Sequence, residues 1–148
     1  MTYHIASYNI AKASYPMDDI RMKGFNDAID QVNAEAERSP GFIWRLQDES
    51  GNATNIQIYN DPKMLVNLSV WKSIDDLKDY LYNGDHLAIF VRKKEWFEPM
   101  KTAHMVLWWV KAGSIPTAEE GKAKLEYLIE HGASEEAFGF REMYPCPT

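Results

Sequence analysis

The chain has 148 residues, and its 16 Lys and Arg against 22 Asp and Glu leave a formal net charge of −6. One compact domain over residues 1–148 fits that length. The acidic balance excludes non-specific binding to nucleic acid or to an anionic membrane surface, both of which need a basic face. Aromatic residues make up 13% of the chain, with five Trp, eight Tyr and six Phe. An interior this small has limited room for so much ring surface, so the excess predicts an aromatic-lined pocket, a buried subunit interface, or both.

No run approaches the roughly 18 uninterrupted apolar residues that a membrane-spanning helix needs. The opening Met-Thr-Tyr-His-Ile-Ala-Ser-Tyr-Asn-Ile lacks a basic segment followed by an apolar one, so no cleaved secretory signal is expected there. Cys146 is the single cysteine and offers neither an intrachain disulfide nor a cysteine-based metal cluster. A cytoplasmic protein is the expectation.

Alternation of β-branched and aromatic types predicts a first strand over Tyr3 to Asn9. A helix follows from about Asp18 to Arg38, because Met22, Phe25, Ile29, Val32 and Ala36 step by helical intervals and make one apolar stripe. Ser39-Pro40-Gly41 ends it. A second strand runs from Phe42 to Gln47, with Phe42, Trp44 and Leu46 on one face and Ile43, Arg45 and Gln47 on the other. Ser50-Gly51-Asn52 then turns the chain into Thr54 to Tyr59, a hairpin partner. Met64 to Trp71 is a strand with two unlike faces. Met64, Val66, Leu68 and Val70 are wholly apolar, whereas Leu65, Asn67, Ser69 and Trp71 form a mixed face suited to lining a cavity.

Ser73 and Asp76 stand at capping-box spacing and open a helix to about Tyr82. Asn83-Gly84 interrupts it, a second helical piece covers Asp85 to Phe97, and Pro99 closes that piece. His104 to Lys111 is a strand. Thr117 and Glu120 form a better capping box for a helix carrying Gly121, Leu125, Leu128 and Ile129 on one side, with Gly132 as its stop. A short strand from Phe138 to Met143 precedes the Pro-punctuated tail. This order predicts an α+β fold of ferredoxin-like type, an antiparallel sheet with helices on one face. Apolar residues on both faces of such a sheet predict that its uncovered face is buried against a second copy, a homodimer.

Five segments together resemble one family. They are Ser39-Pro40-Gly41-Phe42-Ile43-Trp44-Arg45-Leu46-Gln47-Asp48, Asn67 through Ser73, Tyr82 with His86, Arg92 with Glu95-Trp96-Phe97-Glu98, and Leu107 through Gly113. The resemblance, from about Tyr3 to Pro145, is to the bacterial domain family of unknown function 3291, grouped with the dimeric α/β-barrel superfamily. It implies a dimeric α/β barrel. Relatives sharing that barrel include cofactor-free monooxygenases, polyketide cyclases, haem-degrading enzymes and proteins of no known activity. The family more often carries His where this chain has Ser114, so no role is carried over to that position.

No phosphate-binding glycine loop, dinucleotide fingerprint, zinc-protease helix motif or nucleophile elbow occurs. His4, His104 and His131 are isolated, and His131 at a helix end reads as a stabilising cap. His86 is the best catalytic candidate. It follows the Asn83-Gly84 break in line with Phe90 and Phe97, where a neutral imidazole serves as general base or acid or ligates haem iron. The bland alternative is a partly buried His with one backbone hydrogen bond. Arg45 alternates out of phase with its apolar neighbours and is placed to bind an anionic substrate group. Trp108 and Trp109 point to opposite faces, and Trp109 is taken as the cavity-shaping one.

Haem-degrading barrel relatives use an Asn on the first strand, a Trp on the third and a His on the next helix. Asn9, Trp71 and His86 stand in that order here. The resulting expectation is a small-molecule enzyme acting on an apolar or aromatic metabolite, monooxygenase-like or cyclase-like, with no cofactor. In it His86 and Asn9 are catalytic, while Trp71, Arg45, Trp109, Asn67 and Tyr82 bind substrate. The alternatives are a haem-binding or haem-degrading protein using His86, and a noncatalytic ligand-binding or structural dimer. No metal ligands, nucleic acid or membrane partner are expected.

Overall fold

The computed structural model describes residues 2–54 and 56–148. Four strands form one antiparallel sheet: β1 (Tyr3–Lys12), β2 (Phe42–Arg45), β3 (Met64–Trp71) and β4 (Met105–Lys111), in the order β2-β3-β1-β4. Four helices accompany it: α1 (Lys23–Arg38), α2 (Ile74–Leu81), α3 (Gly84–Val91) and α4 (Ala118–His131). The fold is α+β and ferredoxin-like, as the element order predicts.

Register defines two faces. On one, Ala6, Tyr8 and Ile10 lie beside Val70, Leu68 and Val66 of β3, and Ala6 and Tyr8 lie beside Trp108 and Val106 of β4. On the other, Ile5 lies between Trp71 and Trp109, and Ser7 between Ser69 and Leu107. α1 and α2 cover this second face, where Ala36 and Leu77 pack with Ile5, Trp71, Leu107 and Phe138. The expected single helix layer is thus formed by α1 and α2, with α3 against them.

α4 is the correction to that layer. It lies on the opposite face, where Leu125 and Leu128 pack with Ala6, Tyr8, Val106 and Trp108. Ile56, Ile58 and Tyr59 join the same cluster, and the Tyr8 and Tyr59 hydroxyls are hydrogen-bonded at 2.9 Å. Both faces are therefore buried by the chain itself, and the apolar Tyr8 face does not require a partner. The capping box that opens α4 is formed: Thr117 Oγ1 accepts from the Glu120 amide at 3.1 Å, and Glu120 Oε1 accepts from the Thr117 amide at 3.3 Å. Gly121 lets the helix approach, because a Cβ there would overlap the Tyr8 ring.

Four further expectations change. A register shift between Phe42 and Trp44 puts Phe42 beside Trp71 and Trp44 beside Val70, so those two rings lie on opposite faces rather than one. Thr54 to Tyr59 forms no strand among its described residues, and Asn55 lies outside them. Phe138 to Met143 contributes isolated bridges, Leu107 to Phe138 and Gly139 to Glu142, in place of a strand. The helix expected to reach Phe97 stops at Val91 and gives way to a 3-10 turn over Lys93–Glu95.

Gly121→Ala must lift α4 or displace Tyr8, at about 1–3 kcal/mol, which lowers Tm by roughly 2–10 °C in a domain of this size. Gly139→Ala, with nothing within 4 Å of its Cβ position, stays within about 0.5 kcal/mol of the parent. Thermal unfolding by circular dichroism checks both.

Candidate active site

The helix-covered face is not uniformly apolar. One cluster, with Ile5, Trp71, Leu107 and Phe138, fills one end. Another, with Ala13, Phe25, Leu65 and Trp96, fills the other. Between them runs a polar belt, formed where Ser7 pairs with Ser69, Asn9 with Asn67, and Arg45 with Ser69. Ser7 is buried, Asn9 half-buried and Asn67 exposed, so the belt opens to solvent at β3. Among the described residues neither Asn side chain has a hydrogen-bond partner.

Arg45 is the charged member. It is 8% exposed, and its Nη2 donates to the Gly51 carbonyl at 2.6 Å and to Glu37 Oε1 at 3.2 Å. Its Nε and Nη1 are buried with no partner among the described residues. Buried donors left unmatched are costly, and unmatched guanidinium nitrogens suit an acceptor group brought by a ligand.

The apolar end of the site is a ladder of rings. Phe42 meets Trp71 edge-on at 5.5 Å, Trp71 stacks on Tyr80 at 5.0 Å, and Tyr80 meets His86 at 5.1 Å. Trp71 is fully buried, and its Nε1 donates to Ser69 Oγ at 2.9 Å, which ties the ladder to the polar belt. Tyr80 reaches the ladder because helical spacing from Ile74 and Leu77 turns it inward. Burial pushes its phenol well above the ordinary range.

His86 sits in the first turn of α3. Asn83 gives that helix no side-chain cap. Glu35 of α1 does so instead, its carboxylate accepting from the Asp85 amide at 3.1 and 3.2 Å. Gly84 is required there, with φ +58° and no room for a Cβ beside Glu35. His86 Nδ1 lies 2.9 Å from the Leu81 carbonyl. A carbonyl can only accept, so Nδ1 carries the proton and Nε2 keeps its lone pair. Burial lowers the imidazole pKa from its ordinary 6.5, against a smaller opposing effect of the Leu81 hydrogen bond. The ring is a neutral base at neutral pH.

The structure brings Trp71 and His86 together through Tyr80, and Arg45 to Trp71 through Ser69. Asn9 stands apart. Its strand partner is Asn67, whereas Trp71 pairs with Ile5 four residues away, about 13 Å along the strand. Asn9 and Asn67 therefore share the far end of the belt rather than a centre with His86. Trp109 lies on the helix-covered face and donates to the Tyr144 carbonyl at 3.0 Å, while Trp108 lies beneath α4. Tyr82 is exposed, with Phe140 6.3 Å away. Ser69 stands on the mixed face of Met64 to Trp71 that the sequence marks as cavity-lining, whereas Tyr80 and Glu35 were not singled out from the sequence. Tyr80 was legible from its helical spacing, but the cap from Glu35, 50 residues from Asp85, had no local signal.

One groove of about 190 Å³ borders Tyr80 and is lined by Glu35, Ser39, Asp76 and Asp79. A second, of about 290 Å³, lies between α1 and α3. His86, Asn9, Trp71 and Arg45 line neither. The residues present do not fit a haem. His86 is packed against Tyr80 without a slot for a macrocycle, and the carboxylates of the adjoining groove would repel propionates. Among the described residues no group of three or more His, Cys, Asp or Glu could hold a metal ion. No described helix is long and apolar enough to cross a membrane.

Comparison with known proteins places the chain. A family model, "Domain of unknown function (DUF3291)", matches residues 4–148. No curated protein matches. Among solved structures, a conserved protein from Methanosarcina mazei has a TM-score of 0.50 and 14% identity, covering 74% of this chain and 93% of its own. A Mycobacterium tuberculosis protein has a TM-score of 0.51 and 11% identity, covering 78% and 98%. SnoaB from Streptomyces nogalater, a cofactor-independent oxygenase, has a TM-score of 0.46 and 14% identity, covering 76% and 95%.

The depressed His86 pKa sets a pH dependence. Below about pH 6.5 the unfolded chain takes up a proton that the folded chain resists, so His86 makes stability fall as pH falls towards its folded pKa. Nitrogen-detected NMR should find the Nδ1–H tautomer and an apparent pKa below 6.5. His86→Gln should lose less stability over that pH window than the parent.

Proposed function

The chain belongs to the DUF3291 family, and on that footing we propose that it is a small-molecule enzyme of the dimeric α/β-barrel type. It acts without a cofactor on an aromatic or apolar metabolite, by oxygenation or rearrangement. The observation that carries this reading is His86, a half-buried neutral imidazole whose Nδ1 is held by Leu81, leaving Nε2 as a base at the end of the ring ladder. Such a base removes a proton from a phenol or an activated C–H group. The electron-rich anion so formed reacts with dioxygen or rearranges.

The other residues orient the substrate. Arg45 receives an acceptor group on its unmatched nitrogens, Asn9 and Asn67 bind the polar far end, and Trp71 and Trp109 flank the apolar body. Tyr82 stands at the rim. Entry requires α3 to move, and that helix, eight residues long with none buried, has little local stability to lose.

A noncatalytic dimer is the second reading, and one observation favours it: Trp71 is fully buried between Phe42 and Tyr80, filling space that a substrate would need. The deciding experiment exposes the protein to phenols and quinols of one to four fused rings in air, following oxygen uptake and product mass. Turnover of at least one compound is expected, falling about 10²- to 10⁴-fold in His86→Ala. Unchanged turnover in that variant contradicts the role of His86. No turnover, with no small molecule retained in native mass spectrometry, favours the noncatalytic reading.

A further inference from the structure

The middle of the polar belt is a row of hydrogen-bond donors without acceptors. Arg45, Ser69 and Ser7 are in register on the adjacent strands β2, β3 and β1, so their side chains stand side by side on the helix-covered face. Arg45 and Ser7 are each more than nine-tenths buried. Nη2 of Arg45 donates to Gly51 and Glu37, but Nε and Nη1 donate to nothing among the described residues. Ser69 Oγ accepts from the Trp71 indole, and its own hydroxyl proton meets no acceptor among those residues. The Ser7 hydroxyl forms no hydrogen bond among them either.

A buried donor that meets no acceptor forfeits the water it had in the unfolded chain. One such atom is a cost of packing. Donors on three adjacent strands, one of them charged, make a cradle for an oxyanion.

Charge fixes the class of that oxyanion. Glu37 reaches a single nitrogen of Arg45 and is itself half-exposed, so it meets the guanidinium at one edge only. What remains balances one negative charge; a phosphate or sulfate dianion would need further cations, and the row has none. The charge of Arg45 is felt at the Tyr80 hydroxyl, where it opposes the upward push of burial, so the cradle adjoins the ring ladder. A ligand that spans both has a carboxylate at one end and an aromatic body at the other.

We propose that Arg45, Ser69 and Ser7 form a carboxylate-binding site, and that the metabolite this protein takes is an aromatic carboxylic acid. Arg45 binds one carboxylate oxygen, and the two hydroxyls bind the other. This rests on the reading of the helix-covered face as the substrate site and names the group the substrate presents there.

Isothermal titration calorimetry on the full chain tests this with benzoate, 1-naphthoate and 9-anthroate, each beside its primary amide, which keeps the shape and removes the charge. At least one carboxylate should bind about tenfold or more tightly than its amide, the expected effect of a charge-assisted hydrogen bond. Ser7→Ala removes one donor and no internal bond. It should weaken the carboxylate by about three- to tenfold while leaving the amide and Tm unchanged. Arg45→Met should erase the preference; if loss of the Gly51 and Glu37 bonds unfolds that variant, Ser7→Ala decides alone. Equal binding of acid and amide overturns the proposal. So does a carboxylate affinity unmoved by Ser7→Ala, displacement by equimolar inorganic phosphate, or no binding of any of the three acids. None of these readouts involves turnover, so the two readings fail separately. Carboxylates bound with nothing turned over removes the chemistry alone, and neutral phenols turned over without a carboxylate preference removes this site alone.

Discussion

The packing of α4 on the Tyr8 face of the sheet is the constraint on which the rest depends. Strands whose residues are apolar on both sides must have both sides covered, and α1 and α2 reach only one. α4 reaches the other because Gly121 offers no Cβ to the Tyr8 ring, because Leu125 and Leu128 fall at helical spacing onto that face, and because Thr117 and Glu120 fix where the helix starts. With that face closed within the protomer, the ring surface there becomes core, and the helix-covered face is left as the place where polar side chains interrupt the packing.

That interruption is where the proposed chemistry is placed. A belt of Ser7, Asn9, Asn67, Ser69 and Arg45 crosses a face that is otherwise Ile, Leu, Trp and Phe. Keeping a guanidinium there with unmatched Nε and Nη1 has a cost that apolar packing would avoid. The Trp71 indole joins the belt to a stacked column ending in a neutral imidazole. His86 owes its place to an interaction distant in sequence, since the Glu35 carboxylate caps α3 across 50 residues. The position of His86 therefore depends on α1 as much as on the residues around it.

The sequence made the fold legible wherever the signal was local. The apolar stripe from Phe25 to Ala36, the alternation from Met64 to Trp71, the N-cap at Ser73 and the capping box at Thr117 all appear because periodicity and caps act within a few residues. Long-range features were not legible. The face that α4 occupies depends on one close approach between Gly121 and Tyr8. The register shift that separates Phe42 from Trp44 is a property of pairing with β3, which alternation along β2 alone cannot reveal. At the site, His86 was visible from the helix break before it. Its proton-bearing nitrogen was set by the Leu81 carbonyl, and its distance from Asn9 by strand register. Chain order put Asn9, Trp71 and His86 in sequence; register put the first of them about 13 Å along the sheet from the second.

The most direct test is native-state amide hydrogen exchange, measured at low and at high protein concentration. A helix of this length is marginal in isolation, so protection of Gly121 to Leu128 reports docking on the sheet. Protection approaching that of Ala6 to Tyr8 in β1, and the same at both concentrations, is the predicted result. Exchange of α4 at unprotected rates would contradict it, and so would protection of α4 and β1 that arises only on association, because either would mean that this face is closed by something other than the protomer itself.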